Sequence, residues 1–107
     1  MKINMVYLYD IYAPLLNERQ REVLDLYYNE DLSLAEIAEH ESITRQGVRD
    51  SIKRGEQTLF ELEDALGLAE KSARLIKIAD EIDKAASRER PDIAALKAAA
   101  DKIRNIL

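Results

Sequence analysis

Residues that stop a helix are scarce in this chain, which has three glycines and two prolines among its 107 residues. Between these breaks the apolar side chains recur at spacings of three and four residues, which places them on one face of a helix. Alanine, leucine, isoleucine and glutamate are abundant, and tryptophan is absent. This composition disfavours a β-sheet, and we therefore predict an all-α protein.

Chain length and charge suggest how the protein is organised. A chain of this size is expected to form one domain with a single core. We predict one domain over residues 1–107, with a helix-turn-helix core in 1–67 and a C-terminal helical extension, folded as a hairpin, in 68–107. The core has seven basic and fourteen acidic residues, and the extension has nine and seven. The net charges are therefore −7 and +2.

Several classes of protein are disfavoured by the residues that the chain lacks. No apolar run reaches the roughly 18 residues that a membrane helix needs, and the first four residues lead into no signal-peptide core. We expect a cytoplasmic location and no membrane contact. The chain has no cysteine and one histidine, His40, so it lacks the usual groups for nucleophilic or acid–base catalysis. We predict no enzyme activity, no cofactor and no metal site.

A proline and three capping residues predict the bounds of the first four helices. The first helix is expected from about Ile3 to Ala13, because a proline follows. Asn17 is suited to cap the second helix, and Ser33 with a glutamate three residues later forms a capping box for the third. Thr44 is expected to cap a long fourth helix that ends near Gly67.

Two more helices are predicted after Gly67. A fifth is marked by the apolar positions Leu75, Ile78, Ile82 and Ala85. A sixth is expected to carry Pro91 in its first turn. Its predicted apolar face consists of Ile93, Leu96, Ala100, Ile103 and Leu107.

The third and fourth predicted helices have the pattern of a helix-turn-helix unit. Ala38 is the small residue needed where the two helices cross, and Ile43 is the apolar residue that leaves the turn. If Val48 and Ile52 point inward, the intervening polar side chains of the fourth helix point outward together. The outward face has Gln46, Arg49, Asp50 and Lys53, with Arg45 and Arg54 at its flanks. Of these, the residues predicted to contact DNA are Arg45, Gln46, Arg49, Lys53 and Arg54.

These residue types suit nucleic-acid recognition. Arginine and glutamine bind guanine and adenine edges, and lysine neutralises phosphate. A polar outer face is equally typical of a surface helix that only packs, so both interpretations stay open on the pattern alone.

Several short stretches resemble one bacterial family. They are Arg19-Gln20-Arg21, Leu26-Tyr27-Tyr28, the segment 34–39, Arg45-Gln46 and the segment 50–54. Over roughly residues 7–68 the chain resembles the YlxM-type helix-turn-helix family, which is itself similar to the sigma-factor domain that recognises an upstream promoter element. The resemblance implies a small cytoplasmic DNA-binding regulator. It also implies an association with the signal recognition particle, because the family's gene tends to accompany that of the particle's GTPase.

The turn departs from the pattern of that family. Glu41 stands where an apolar residue is usual, and Ser42 where asparagine or glycine would best tolerate a left-handed backbone. Gly47 lies in the first turn of the fourth helix, where it either allows close approach of a partner or weakens the helix.

Two further expectations concern partners. An apolar seam across Gly67 predicts a homodimer. Its residues are Leu59, Leu62, Leu66, Ala69, Ala73 and Ile76. The alternative to DNA binding is that the same fold docks on protein or RNA of the signal recognition particle.

Overall fold

The computed structural model describes residues 4–107, in which the chain forms six α-helices and no strand. This confirms the predicted all-α class. The predicted start of the first helix at Ile3 lies outside the described residues. The helices are α1 (Met5–Tyr12), α2 (Glu18–Tyr28), α3 (Leu34–Glu41), α4 (Arg45–Leu66), α5 (Leu68–Ala86) and α6 (Ile93–Ile106), and a 3₁₀ turn (Ala13–Leu15) follows α1. No helix in the described part of the chain combines the length and apolarity needed to cross a membrane.

The three predicted caps of α2, α3 and α4 are confirmed. Asn17 Oδ1 accepts the N–H of Gln20 at 2.8 Å, and Thr44 Oγ1 accepts an amide of the first turn of α4 at 2.9 Å. Ser33 and Glu36 accept each other's backbone N–H groups, both at 3.1 Å. The hydrogen bonds from the backbone and hydroxyl of Ser33 lower the pKa of the Glu36 carboxyl. Local sequence therefore sets the start of each helix in the motif.

The predicted position of Pro91 in the first turn of the sixth helix is wrong. The helix begins at Ile93, and Asp92 is its N-cap, with Oδ1 accepting the N–H of Ala95 at 3.0 Å. If Pro91 were the first helical residue, the N-cap would be Arg90, whose side chain has no hydrogen-bond acceptor. The Asp92 carboxylate accepts an N–H of the first turn, so the helix starts after Asp92. Of the predicted apolar face, Ile103 packs on a core, whereas Ile93 and Leu107 are exposed.

Contacts divide the chain into two compact units, residues 1–69 and 70–107, close to the subdivision predicted at residues 67 and 68. The prediction of one domain over 1–107 stays a prediction. In unit 1, α4 packs against α1, α2 and α3. The core of this unit has a shared set of buried apolar side chains: Leu8, Tyr9, Tyr12, Leu16, Val23, Leu24, Ile37, Ala38, Val48, Ile52, Leu59 and Ala69.

Tyr12 and Glu63 hold the start of α5 within unit 1. The Tyr12 hydroxyl donates to Glu63 Oε1 at 2.6 Å and accepts the Leu68 N–H at 3.1 Å. Glu63 Oε1 also accepts the Ala69 N–H at 2.9 Å. Burial, and next the hydrogen bond to Glu63, raise the pKa of the Tyr12 phenol. Two side chains from other helices thus replace the local N-cap that α5 lacks, because Gly67 alone separates it from α4.

Unit 2 is an antiparallel hairpin of α5 and α6 with a small core of its own. Ile78, Ala99 and Ile106 are buried there, with Leu75, Ile82 and Ile103 packed against them. The loop between the helices closes through a hydrogen bond from the Asp92 N–H to the Ala85 carbonyl at 3.1 Å. Lys102 Nζ pairs with Glu81 Oε2 across the two helices at 3.0 Å.

Candidate nucleic-acid interface

The first half of α4 separates apolar and polar side chains as predicted. Val48 is fully buried and Ile52 is 7% exposed, so these two side chains anchor the helix on the core of unit 1. All five residues predicted to contact DNA are exposed. Arg45, Arg49 and Lys53 follow one another at intervals of four residues, so they form a row about 12 Å long. This length is comparable to the width of the DNA major groove.

The cations of this row, and the neighbouring Arg54, are electrostatically available. Within residues 4–107 none of Arg45, Arg49, Lys53 and Arg54 forms an ion pair with an acidic side chain. An exposed cation without an acidic partner exchanges only water and counterions when it meets a phosphate. The outer face of α4 can therefore bind an anionic surface without first breaking an internal ion pair.

Gln46 is the predicted contact residue with an internal partner. Its Nε2 donates to Asp50 Oδ1 at 3.0 Å, across one turn of the helix. This bond orients both side chains on the exposed surface. To bind an adenine edge, Gln46 would have to break its hydrogen bond to Asp50, and the carboxylate would then face the nucleic acid.

The turn between α3 and α4 has the backbone geometry expected of residue 42. Ser42 has φ 56° and ψ 43°, in the left-handed region, and its N–H lies against the carbonyls at the end of α3. The Ile43 N–H donates to the Ala38 carbonyl at 3.0 Å, which closes the turn. The left-handed conformation costs a serine more than a glycine, so the turn is held by these bonds and by packing.

Glu41 is the unusual residue of this turn. Its side chain is 9% exposed, and its Oε1 is buried without a hydrogen-bond partner. Its Oε2 lies 3.8 Å from Nδ1 of His40, and its backbone carbonyl accepts a hydrogen bond from the Arg19 guanidinium at 3.3 Å. The carboxylate also lies at the C-terminal end of α3, where the helix dipole disfavours negative charge. This position is suited to an apolar side chain, as the family pattern implies.

Replacing Glu41 by leucine is expected to stabilise unit 1 by about 1 kcal/mol, because a buried polar atom without a partner is removed from the turn. Equilibrium denaturation in urea measures this change. The matched control is Glu39→Leu on the exposed surface of the same helix, which we expect to change stability by less than about 0.5 kcal/mol. A loss of stability in Glu41→Leu would mean that the carboxylate has a stabilising partner.

Two glycines of α4 have different surroundings. A Cβ at Gly47 would lie 3.2 Å from Thr44 Oγ1, the cap of the same helix. A Cβ at Gly55 would lie 2.7 Å from Cδ1 of Leu24, which is fully buried on α2. Gly55 therefore lies where α4 packs closely against α2.

Sequence patterns did not identify three residues that connect the helices around α4. Gly55 is buried at a crossing between helices, and a single glycine in a helical pattern gives no sign of which helix approaches it. Arg19 lies in the stretch Arg19-Gln20-Arg21, but its contact with the turn spans 22 residues. Tyr28 donates to Glu56 Oε2 at 2.5 Å, and burial, followed by this bond, raises the pKa of the phenol. All three depend on contacts between separate helices.

Comparison with known proteins gives a helix-turn-helix family, in agreement with the helix-turn-helix unit formed by α3 and α4. Residues 1–99 match the model of the family UPF0122, described as "Putative helix-turn-helix protein, YlxM / p13 like". The UPF0122 protein of Clostridium kluyveri is 46% identical over 99% of this chain and 94% of its own length. That of Desulforamulus reducens is 47% identical over 85% and 80% of the two chains. That of Symbiobacterium thermophilum is 41% identical over 91% and 89%.

Proposed function

Because the chain belongs to the UPF0122 family of YlxM/p13-like helix-turn-helix proteins, we propose that it is a regulatory protein that binds duplex DNA through the outer face of α4. The observation that carries this proposal is the row of exposed cations without acidic partners, backed by the buried side chains of Val48 and Ile52. A helix placed in this way is the element that enters the major groove in helix-turn-helix proteins.

Each residue of the face has a proposed role that follows from its chemistry. Arg49 is suited to bidentate contact with guanine, and Gln46 to adenine once it leaves Asp50. Arg45, Lys53 and Arg54 are suited to phosphate contacts, which set the position of the helix on the duplex. A protein with this role acts in the cytoplasm of a bacterium.

The charge of unit 1 limits the affinity. Residues 1–67 carry seven more acidic than basic side chains, so long-range repulsion opposes the local attraction of α4. Three or four phosphate contacts give a shallow salt dependence, since each contributes about 0.9 to the slope of log K against log salt. We expect a dissociation constant for nonspecific duplex no tighter than about 10⁻⁵ M at physiological salt.

Reversing two charges on this face should remove duplex binding. In Arg49→Glu/Lys53→Glu we expect affinity to fall at least about tenfold, because two phosphate or base contacts become repulsive. Fluorescence anisotropy with a labelled duplex library measures this loss, and an unchanged circular dichroism spectrum shows that the fold is kept.

The control carries the same charge change elsewhere. Arg90→Glu/Lys97→Glu reverses two exposed cations of the 70–107 unit. The proposal predicts that the control keeps most of the wild-type affinity. Equal losses in the two variants would mean that only net charge matters, and no binding by the wild-type protein to any selected duplex would end the proposal.

The acidic balance of unit 1 favours a second candidate function. In this alternative the outer face of α4 docks on protein or RNA of the signal recognition particle, as the family resemblance implies. A pull-down from bacterial lysate, with and without nuclease, separates the two candidates. Retention of particle components by the wild type but not by Arg49→Glu/Lys53→Glu, together with no duplex binding, would support docking.

We also propose that the protein forms a homodimer, although the fold buries part of the predicted apolar seam inside unit 1. Leu59 and Ala69 are buried in the core of unit 1, whereas Leu66 is 43% and Ile76 is 60% exposed. Only the exposed members are available to a second copy of the chain. A dimer would place two α4 helices on one duplex, with half-sites about 34 Å apart.

A further inference from the structure

A basic cleft lies between the two helices of unit 2. It has a volume of about 300 Å³. Its lining residues come from the first half of α5 and the last part of α6, which the antiparallel hairpin brings together: Arg74, Lys77, Ile78, Lys102, Asn105 and Ile106. Three of these six side chains are cationic and one is an amide. None of the described residues lining the cleft is acidic.

Two of the cations have no internal partner. Within residues 4–107 neither Arg74 nor Lys77 forms an ion pair or a side-chain hydrogen bond. Lys102 is paired with Glu81 at 3.0 Å, and both side chains are partly exposed, at 56% and 41%. An exposed pair of this kind is weak and is readily exchanged for a more highly charged anion.

The floor of the cleft is apolar. Ile78 is 5% and Ile106 is 7% exposed, so the cations stand around side chains that belong to the small core of the hairpin. An apolar wall lowers the local dielectric constant and strengthens the attraction between the cations and a bound anion.

We propose that this cleft binds a phosphate group. A phosphate ester offers up to two negative charges and three acceptor oxygens, which match three cations and the Asn105 amide. A single carboxylate carries one charge and would leave part of this donor set unused. The site belongs to a different unit from α4, so it stands independently of the proposed DNA contact.

Nuclear magnetic resonance of the full chain tests the site. Sodium phosphate is titrated into ¹⁵N-labelled protein, and sodium chloride at equal ionic strength is the reference. The expected result is saturable shifts that centre on Lys77, Lys102 and Asn105 and occur only with phosphate. Shifts that match those in chloride, or that spread over all cations, would overturn the proposal.

Three variants sharpen the test. Lys77→Gln is expected to weaken phosphate binding about tenfold, because one charged hydrogen bond is lost. Lys97→Gln removes an exposed cation of α6 outside the cleft and should leave the affinity unchanged. Glu81→Gln releases Lys102 from its carboxylate and should strengthen binding severalfold. Equal effects of the two lysine variants, or weaker binding in Glu81→Gln, would contradict the site.

Two further experiments, one with duplex DNA and one with adenosine monophosphate, decide which kind of molecule supplies the phosphate. If the phosphate belongs to a nucleic-acid backbone, Lys77→Gln lowers the salt slope of duplex binding by about one unit relative to Lys97→Gln. If it belongs to a small molecule, adenosine monophosphate shifts the cleft signals and the slope stays unchanged. If neither duplex DNA nor adenosine monophosphate binds at the cleft, the site is rejected. This holds even when the loss of duplex binding in Arg49→Glu/Lys53→Glu supports the role of α4.

Discussion

Replacing Ile52 by alanine is expected to lower the free energy of unfolding by about 2–5 kcal/mol, whereas Lys53→Ala at the next position should change it by less than about 0.5 kcal/mol. Ile52 packs in the core of unit 1, next to the fully buried Val48 on the inner face of α4. The lost methyl groups leave a cavity that the surrounding helices fill only in part. Lys53 points to solvent.

A urea denaturation series measures both variants, and the slope of the transition should stay constant if the denatured state is unaffected. The same pair separates stability from binding. Lys53→Ala should weaken duplex binding in a folded protein, whereas Ile52→Ala should affect binding only as far as it unfolds the chain. Equal destabilisation by the two substitutions would mean that the assigned inner face of α4 is wrong.

Replacing Gly55 by leucine should cost about 3 kcal/mol or more, because α4 and α2 have no room for a side chain where they cross. The added Cβ alone would lie 2.7 Å from Cδ1 and 3.2 Å from Cγ of Leu24. Leu24 is fully buried, so it cannot swing into solvent to relieve the contact. Either the helices separate or the leucine side chains leave their preferred rotamers.

A double-mutant cycle tests this explanation. Leu24→Ala should itself destabilise the protein by about 2–5 kcal/mol, but it creates space beside residue 55. The double variant Leu24→Ala/Gly55→Leu should therefore lose less stability than the two single variants lose together. We expect a coupling free energy of at least about 1 kcal/mol. Gly47→Ala on the same helix is the control. It should change stability by less than about 1 kcal/mol, because the higher helix propensity of alanine is opposed by a tight contact of 3.2 Å between its Cβ and Thr44 Oγ1. Strict additivity in the cycle would contradict the close crossing.

Much of the motif was predictable because its signals are local. The caps at Asn17, Ser33 and Thr44 each act on the amide three residues away, so their geometry follows from the sequence. The inward positions of Val48 and Ile52 follow from helical periodicity, and the left-handed backbone at Ser42 follows from the turn pattern. Pro91 failed as a marker because a competing local signal, the Asp92 cap, was stronger.

Local sequence therefore determined the helices, the starts of α2, α3 and α4, and the polar face of α4, since helix periodicity and capping act within a few residues. Tertiary structure alone decided which helix approaches Gly55, how Tyr12 and Glu63 hold the start of α5, and that Arg74, Lys77 and Lys102 share a cleft. Leu24 and Gly55 are 31 positions apart in the chain, Tyr12 and Leu68 are 56 apart, and Lys77 and Lys102 are 25 apart. The sequence pattern of one helix carries no information on the partner that meets it, because packing depends on the surfaces of both.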